Sequence, residues 1–339
     1  MLENVTVSPS PHISKAHSTR SIMFDVIIGL APAVFAAWWY FRNPALIIIA
    51  TCIISCMITE LFCNVIRKKP NSLGDLSAPV TGIILALSLP PAIPYWAAMI
   101  GSVFAIAIAK MVFGGLGSNT FNPAMAARAF LTACFGMAMT TWTVPATIEL
   151  PITDSTRISA SNSNAVTQAT PLAWSKLAIK GKPNAQQLDK QLKATFTGRV
   201  GGCLGETSAL AILIGGAYLL IRRTINLHIP MAVLLSAFVF AAIGFILKPD
   251  AYIAPWLHLT GGGMLLCAFF IATDPVTAPL TTKGMWIFGI GVGALIMLIR
   301  IVGEYPEGVM YAVLIMNAVT PLIDRFCRLI PAGGKVNAQ

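Results

Sequence analysis

Ten apolar stretches, most of them close to the length that a helix needs to cross a bilayer, dominate this sequence. An α-helix rises 1.5 Å per residue, so about 20 apolar residues span the hydrocarbon core. Charged residues make up only 11% of the chain, whereas a soluble domain carries about 25%. We therefore predict an all-α integral membrane protein with about ten transmembrane helices, at residues 22–41, 45–66, 76–93, 95–113, 121–142, 204–221, 228–247, 256–273, 284–299 and 305–323.

Proline or glycine interrupts two of these segments. The third ends in Leu89-Pro90-Pro91, and the eighth opens at Gly261-Gly262-Gly263 and runs into Asp274-Pro275. Such breaks at membrane depth survive only where protein or a water-filled cavity satisfies the freed backbone groups. We therefore predict broken helices that line a functional cavity.

The distribution of positive charge predicts the orientation. With a cytoplasmic N-terminus and ten alternating helices, the short outer loops receive only Arg42, Lys248 and Arg300. The inner segments receive eleven positive residues: Lys15, Arg20, Arg67, Lys68, Lys69, Arg222, Arg223, Lys283, Arg325, Arg328 and Lys335. Positive residues are retained on the cytoplasmic side. Both termini are therefore predicted inside, the long loop outside, and the net charge of +10 needs no nucleic-acid partner.

The segments divide into five before the long loop and five after it. An odd number of helices per half makes two copies inverted in the membrane, so we predict a 5+5 inverted repeat. Residues 82–86 loosely match residues 263–267 in support of it. The predicted parts are an N-terminal cytoplasmic arm, a first membrane half, an extracytoplasmic loop, a second membrane half and a cytoplasmic tail, at residues 1–20, 21–142, 143–203, 204–325 and 326–339.

Cysteine and histidine spacing argues against a metal centre. No two of the seven cysteines form a CxxC pair, and the four histidines are scattered without ligand spacing. Most of the cysteines lie in apolar runs, where buried thiols are common. We therefore expect no iron–sulfur or zinc site in this chain.

A short polar stretch in the long loop, residues 164–172, presents a hydroxyl between small neighbours. Thr167, Ala169 and Thr170 form the pattern, and Pro171 disfavours helical geometry at Thr170. The stretch resembles the flavin-attachment signature of the RnfD and NqrB membrane subunits, D-x-x-[ST]-x-A-T, although Asn164 stands where the family usually has Asp. The resemblance implies that a flavin transferase joins the phosphate of FMN to the Thr170 hydroxyl as a phosphoester. The alternative is a Ser/Thr-rich loop without chemistry.

Two further motifs are similar to the same family. Residues 114–124, GGLGSNTFNPA, match its G-G-L-G-x-N-x-F-N-P-A element and predict a tight interhelical turn that also forms a cofactor wall. Residues 201–210 are similar to its G-E-x-S-x-L element. Because the amides of a helix start favour anions, Gly205 and Glu206 are candidates to support the FMN phosphate or ribityl chain. Ordinary N-capping is the equal alternative, and the Glu206 charge argues against direct phosphate contact.

A third motif, residues 269–279, resembles the family's F-F-x-A-T-D-P-V-T-x-P and ends the eighth segment. Asp274 is therefore our main candidate for the ion pathway, with Asp25 a weaker one, because ionisable residues in a membrane protein mark functional sites by default. The other candidates are Glu60, Lys110 and Arg128. For Glu60 and Lys110 we favour a structural ion pair or interfacial snorkelling.

The resemblance covers nearly the whole chain and implies an RnfD-like subunit of the ion-translocating ferredoxin:NAD oxidoreductase complex in the bacterial cytoplasmic membrane. It implies covalent FMN, riboflavin as a second flavin in some relatives, and coupling of electron transfer to Na+ or H+ export. The implied partners are membrane, iron–sulfur and FMN-bearing subunits and a flavin transferase, with no catalytic residue and no activity in this chain alone. The alternatives are an NqrB-like subunit of the sodium-pumping quinone reductase, a secondary transporter or channel, and a scaffold without cofactor.

Overall fold

The protein is an all-helical bundle in the computed structural model, which describes residues 18–142, 202–206, 208–247, 253–303 and 307–327. No strand occurs in those ranges, and each of the ten predicted segments contains helix. Among the described residues, five helices are long and apolar enough to cross a membrane. They are α1 (Thr19–Phe41), α2 (Asn43–Ile66), α7 (His228–Leu247), α9 (Thr282–Val302) and α10 (Val309–Phe326).

The other five segments are shorter or broken. They are α3 (Ser77–Leu87), α4 (Tyr95–Met111), α5 (Pro123–Cys134), α6 (Ala209–Ile221) and α8, which consists of Pro255–Thr260, Met264–Leu266 and Cys267–Ile271. The predicted breaks in the third and eighth segments are confirmed. The fifth segment stops earlier than the predicted residue 142, because the backbone of Phe135 leaves helical geometry before a short helix at Gly136–Met139.

Two segments contain π-helical turns. In α4 the backbone changes to π geometry over Phe104–Met111, and α8 does so over Cys267–Ile271. Such wide turns are rare and frequently lie at functional sites. The first stretch is apolar except for Lys110 and the second is wholly apolar, and neither contains proline or glycine to mark a change of helix geometry.

The packing of the first five helices recurs in the last five. In the first half α2 packs against α3 and α4, while in the second half α7 packs against α8 and α9. The fourth helix of each half then packs against the fifth. This is the packing that duplicated halves predict. The halves meet along α1 and α6, where a Cβ atom on Gly215 would overlap the carbonyl oxygen of Gly29, and small residues permit such close approach between membrane helices.

The outer surface of the bundle is apolar. Large side chains such as Phe62, Val112 and Leu247 are more than 60% exposed, as expected where lipid replaces water. The core between the helices is also apolar, with Leu30, Met125 and Phe288 fully buried. Polar side chains inside the bundle are therefore the informative ones.

Buried polar groups gather at the two ends of the bundle. We call the end at which α1 begins the near end; it also holds the start of α3, the α4–α5 and α6–α7 links and the residues after α8. The opposite end, the far end, holds the turn after α3, residues 202–206, the start of α8 and the link from α9 to α10.

Candidate functional site

The link between α4 and α5 is a glycine turn at the near end. Gly114, Gly115 and Gly117 have φ values of +130°, +109° and +92°, which L side chains rarely adopt. The Arg67 guanidinium donates to the carbonyl oxygens of Met111 at 2.9 Å and Gly114 at 3.3 Å. The tight turn predicted from this motif is confirmed.

Asn122 joins the start of α5 to the residues after α8. Its Oδ1 accepts hydrogen bonds from the amides of Ala124 and Met125 at 3.1 and 3.2 Å, which is a helix N-cap. Its Nδ2 donates to Asp274 Oδ2 at 3.4 Å. The predicted motifs at residues 114–124 and 269–279 therefore meet in space.

Asp274 is held by three donors. Besides Asn122, the Val276 amide donates to Oδ1 at 3.1 Å and the Thr277 hydroxyl donates to Oδ2 at 3.4 Å. No Lys or Arg among the described residues forms an ion pair with it. The carboxylate is thus fixed in position without a partner cation from that part of the chain.

A cleft opens beside Asp274. Apolar side chains of α1, α3, α6 and α8 form most of its wall, and Lys110, Asn119, Asn122 and Asp274 supply polar groups. Asn119 is buried, and its Oδ1 has no hydrogen-bond partner among the described residues. An apolar cleft with a few convergent polar groups is the ordinary form of a small-molecule site.

Lys110 and Glu60 form a structural ion pair, as the sequence favoured. Lys110 Nζ lies 2.8 Å from Glu60 Oε2 and donates to Ser77 Oγ at 2.6 Å, and both charged residues are buried. Ser72 Oγ donates to the other Glu60 oxygen at 2.5 Å. The pair ties α2 and α4 to the start of α3.

Asp25, also at the near end, has hydrogen-bond partners at both carboxylate oxygens. Tyr218 and Thr224 donate their hydroxyls to its two oxygens at 3.1 Å each, and Arg222 Nε lies 3.5 Å from Oδ1. These partners lie on α6 and just after it. Asp25 therefore connects the two halves, and its proposed place in an ion pathway stays a prediction.

The far end contains a buried charge cluster. Arg128 donates to a carboxylate oxygen of Glu307, lies 3.8 Å from Glu206 Oε1 and donates to Cys203 Sγ at 3.3 Å. The other Glu307 oxygen accepts from the Gly263 amide at 3.0 Å. The Cys203 sulfur and one carboxylate oxygen each of Glu206 and Glu307 lie within 4.8 Å of one another. The Arg128 guanidinium supplies positive charge in this cluster.

The segment that precedes α6 is hydrogen-bonded to the backbone at the end of α3. The amides of Leu204 and Gly205 donate to the carbonyl oxygens of Leu89 and Leu87, and a Cβ atom on Gly205 would lie 2.9 Å from Leu87. Ser208 Oγ accepts from the Ala211 amide at 3.3 Å, so the predicted N-capping is confirmed. The amides of Leu204 and Gly205 are thus unavailable for a phosphate, and the role of Gly205 and Glu206 in cofactor support stays a prediction.

The predicted flavin-attachment residues Thr167, Ala169 and Thr170 lie outside the described residues. The sequence reasoning missed Glu307, and it placed Arg300 in an outer loop. Arg300 instead lies buried in the last turn of α9 and donates to the carbonyl oxygens of His258 and Gly261 at 2.6 and 2.9 Å. Glu307 could have been found from the sequence, because it is a charged residue beside an apolar run.

The motifs that meet at the near end belong to one family. The model of the NQR2, RnfD, RnfE family matches residues 6–333. This chain is a member of that family. The predicted kinship with RnfD and NqrB is therefore confirmed.

Known relatives match over nearly their whole length. The D subunit of the Na(+)-translocating ferredoxin:NAD(+) oxidoreductase complex of Acetobacterium woodii is 46% identical over 96% of this chain and 94% of the relative. The D subunit of the proton-translocating ferredoxin:NAD(+) oxidoreductase complex of Clostridium ljungdahlii is 42% identical over 97% and 96%. The D subunit of the ion-translocating oxidoreductase complex of Yersinia enterocolitica is 38% identical over 94% and 96%. All three relatives thus occupy the same place in ion-translocating complexes.

Proposed function

We propose that this chain is the RnfD subunit of an ion-translocating ferredoxin:NAD oxidoreductase complex and carries FMN on Thr170. The observation that carries the proposal is the identity of 46% and 42% to two such subunits over nearly the full length of each chain. These relatives differ in the ion, since one is named for Na+ and the other for the proton. The other subunits of the complex and a flavin transferase are the partners.

The attachment site is the hydroxyl of Thr170 in the long loop. Residues 164–172 provide the hydroxyl, small neighbours and a following proline, which suits modification by a second enzyme. Bound FMN would supply the redox chemistry that side chains do not provide. Because the Leu204 and Gly205 amides at the far end are already occupied, anchoring of the phosphate depends on the covalent bond.

The near end is the cytoplasmic end in this proposal. Arg67, Lys68, Lys69, Arg222 and Arg223 lie there, in agreement with the retention of positive residues inside. The far end, which holds the described residues on either side of the loop with Thr170, is then on the outer side of the membrane. Asp274 is the side chain that attracts the translocated cation, because its carboxylate is held by three neutral donors and by no described cation.

Fluorescence of the denatured polypeptide tests the flavin. We expect the protein, made with its flavin transferase, to give a fluorescent band in a denaturing gel, and Thr170→Ala to give a dark one. Thr207→Ala is the matched hydroxyl control that should keep the label. Mass spectrometry should find FMN less water on the peptide that contains Thr170. An unmodified peptide from native membranes would refute the covalent flavin.

Electron-transfer assays separate the complex from its alternatives. The purified complex should reduce NAD+ with reduced ferredoxin, whereas an NqrB-like subunit would belong to an assembly that passes electrons from NADH to a quinone. A secondary transporter or a scaffold would give a dark band and no redox-driven ion movement.

A further inference from the structure

Asn317 is a buried amide in the middle of α10. It is 1% exposed, and neither its Nδ2 nor its Oδ1 has a hydrogen-bond partner among the described residues. It is the ninth of the 18 residues of the helix Val309–Phe326, so it lies about 12 Å along the axis from the helix start. This position is the midpoint of the helix.

An amide in this situation calls for a ligand that both donates and accepts hydrogen bonds. The Asn317 carbonyl oxygen needs a donor and its NH2 group needs an acceptor, and leaving buried polar groups without hydrogen bonds is costly. A bare cation would satisfy the oxygen alone. A water molecule satisfies both atoms, and buried waters are typically found bridging such otherwise unsatisfied groups.

The face of α10 that carries Asn317 leads toward both ends of the bundle. Thr320 lies three residues further on, hence on the same face, and its hydroxyl donates to the Thr277 carbonyl oxygen at 3.1 Å. Thr277 in turn donates its hydroxyl to Asp274. In the other direction the same face carries Met310, whose sulfur accepts from the Thr132 hydroxyl of α5 at 3.7 Å.

Polar groups therefore follow one another through the bundle between α5, α8 and α10. Asp274 and Thr277 mark the near end, Thr320 and Asn317 the middle, and the cluster of Arg128, Glu206 and Glu307 the far end. Most of the remaining residues of that face, including Val313, are apolar and buried. Asn317 is a polar group on this otherwise mostly apolar face, between Thr320 and the far-end cluster.

We propose that Asn317 binds water at the middle of the membrane, and that this hydrated position lies on the route of the translocated cation from Asp274 to the far-end cluster. The inference rests on the proposed function. Asn317 acts as a positioning residue, because it holds the water that solvates the cation.

Cysteine substitution tests the hydration without requiring activity. In a variant of the assembled complex whose native cysteines in this chain are replaced, Asn317→Cys is compared with Ala312→Cys, a fully buried position on the same helix. A thiol in a dry core stays protonated and inert, so we expect Asn317→Cys to react with methanethiosulfonate ethylammonium at least about tenfold faster. Equal, negligible reactivity at both positions would overturn the proposal.

The ratio of ions moved to electrons transferred tests the route. The complex is reconstituted in liposomes with reduced ferredoxin and NAD+, and uptake is followed with ²²Na+ and with a pH-sensitive dye. Because leucine removes both amide partners of the water, we expect Asn317→Leu to lower this ratio by about fivefold or more. Asn317→Ser, which keeps a donor and an acceptor, should stay within about twofold of the unsubstituted complex.

The outcomes are distinguishable. Leucine is isosteric with asparagine and leaves no unmet hydrogen bond, so a purely structural Asn317 predicts an equal or higher melting temperature and an unchanged ratio. That result, or an equal loss with leucine and serine, would overturn the proposed route. Absence of redox-driven ion movement in the unsubstituted complex would instead contradict the proposed function.

Discussion

Asp274 shows how the chain fixes a carboxylate at a membrane helix end. Asn122, Val276 and Thr277 donate to its two oxygens, and they come from two separate segments of the chain. Neutral donors hold the carboxylate in one geometry and leave its charge uncompensated by the described residues. A carboxylate that is fixed in position and has no partner cation among the described residues can interact strongly with a cation that passes it.

Neutralising Asp274 should therefore impair ion transport more than cofactor loading. Asp274→Asn keeps the size of the side chain and removes the charge, so we expect ion uptake by reconstituted complex to fall by about tenfold, with flavin fluorescence unchanged. Thr273→Val is the control, since the Thr273 hydroxyl donates to the Phe269 carbonyl oxygen, four residues earlier, and not to Asp274. Unimpaired ion uptake in Asp274→Asn would remove this residue from the pathway.

At the scale of the helices, a buried cation in each half holds the start of the third helix of that half. Lys110, at the end of α4, holds Glu60 and the start of α3, and Arg300, at the end of α9, holds carbonyl oxygens at the start of α8. Both cations lie near the end of the fourth helix of their half. The repeated packing is thus accompanied by a repeated contact, from a cation near the end of the fourth helix to the start of the third.

Removing one member of the Lys110–Glu60 pair should lower the stability of the protein more than removing both. Lys110→Met leaves Glu60 charged and buried, for which the typical cost is about 3–5 kcal/mol. We expect a clearly lower melting temperature in detergent, followed by the fluorescence of the solubilised protein. The double variant with Glu60→Gln should recover most of the loss. If the double variant is no more stable than Lys110→Met alone, the pair is not what secures α3.

The whole molecule has two polar ends, and the proposed function requires the near end to face the cytoplasm. Ser118 is exposed at the near end and Thr141 is exposed at the far end. The two positions therefore report opposite sides of the membrane.

Labelling of single cysteines checks this orientation. In right-side-out vesicles, and in a background without native cysteines, a membrane-impermeant maleimide should label Thr141→Cys at least about tenfold more than Ser118→Cys. Permeabilised vesicles, in which both positions should react, are the control. Preferential labelling of Ser118→Cys in sealed vesicles would place the loop with Thr170 in the cytosol and exclude a transferase that acts outside.

The hydrophobic pattern was enough to predict ten helical segments and their two broken members, because apolar length and proline or glycine are local signals. The partners of buried polar residues were not local. Lys110 and Glu60 are 50 positions apart, and Asn122 and Asp274 are 152 apart, so the sequence could propose each residue but not the contact. Glu307 and Asn317 escaped notice because neither stands in a motif.

The π-helical turn at Phe104–Met111 has a consequence for how this region can change over evolution. If these turns closed into ordinary α geometry with no residue removed, everything after them would rotate by about 100°. Lys110 would then turn away from Glu60, and the glycine link would leave the cleft. A substitution that favours ordinary α geometry in this stretch would therefore separate Lys110 from Glu60 even if it kept the apolar character.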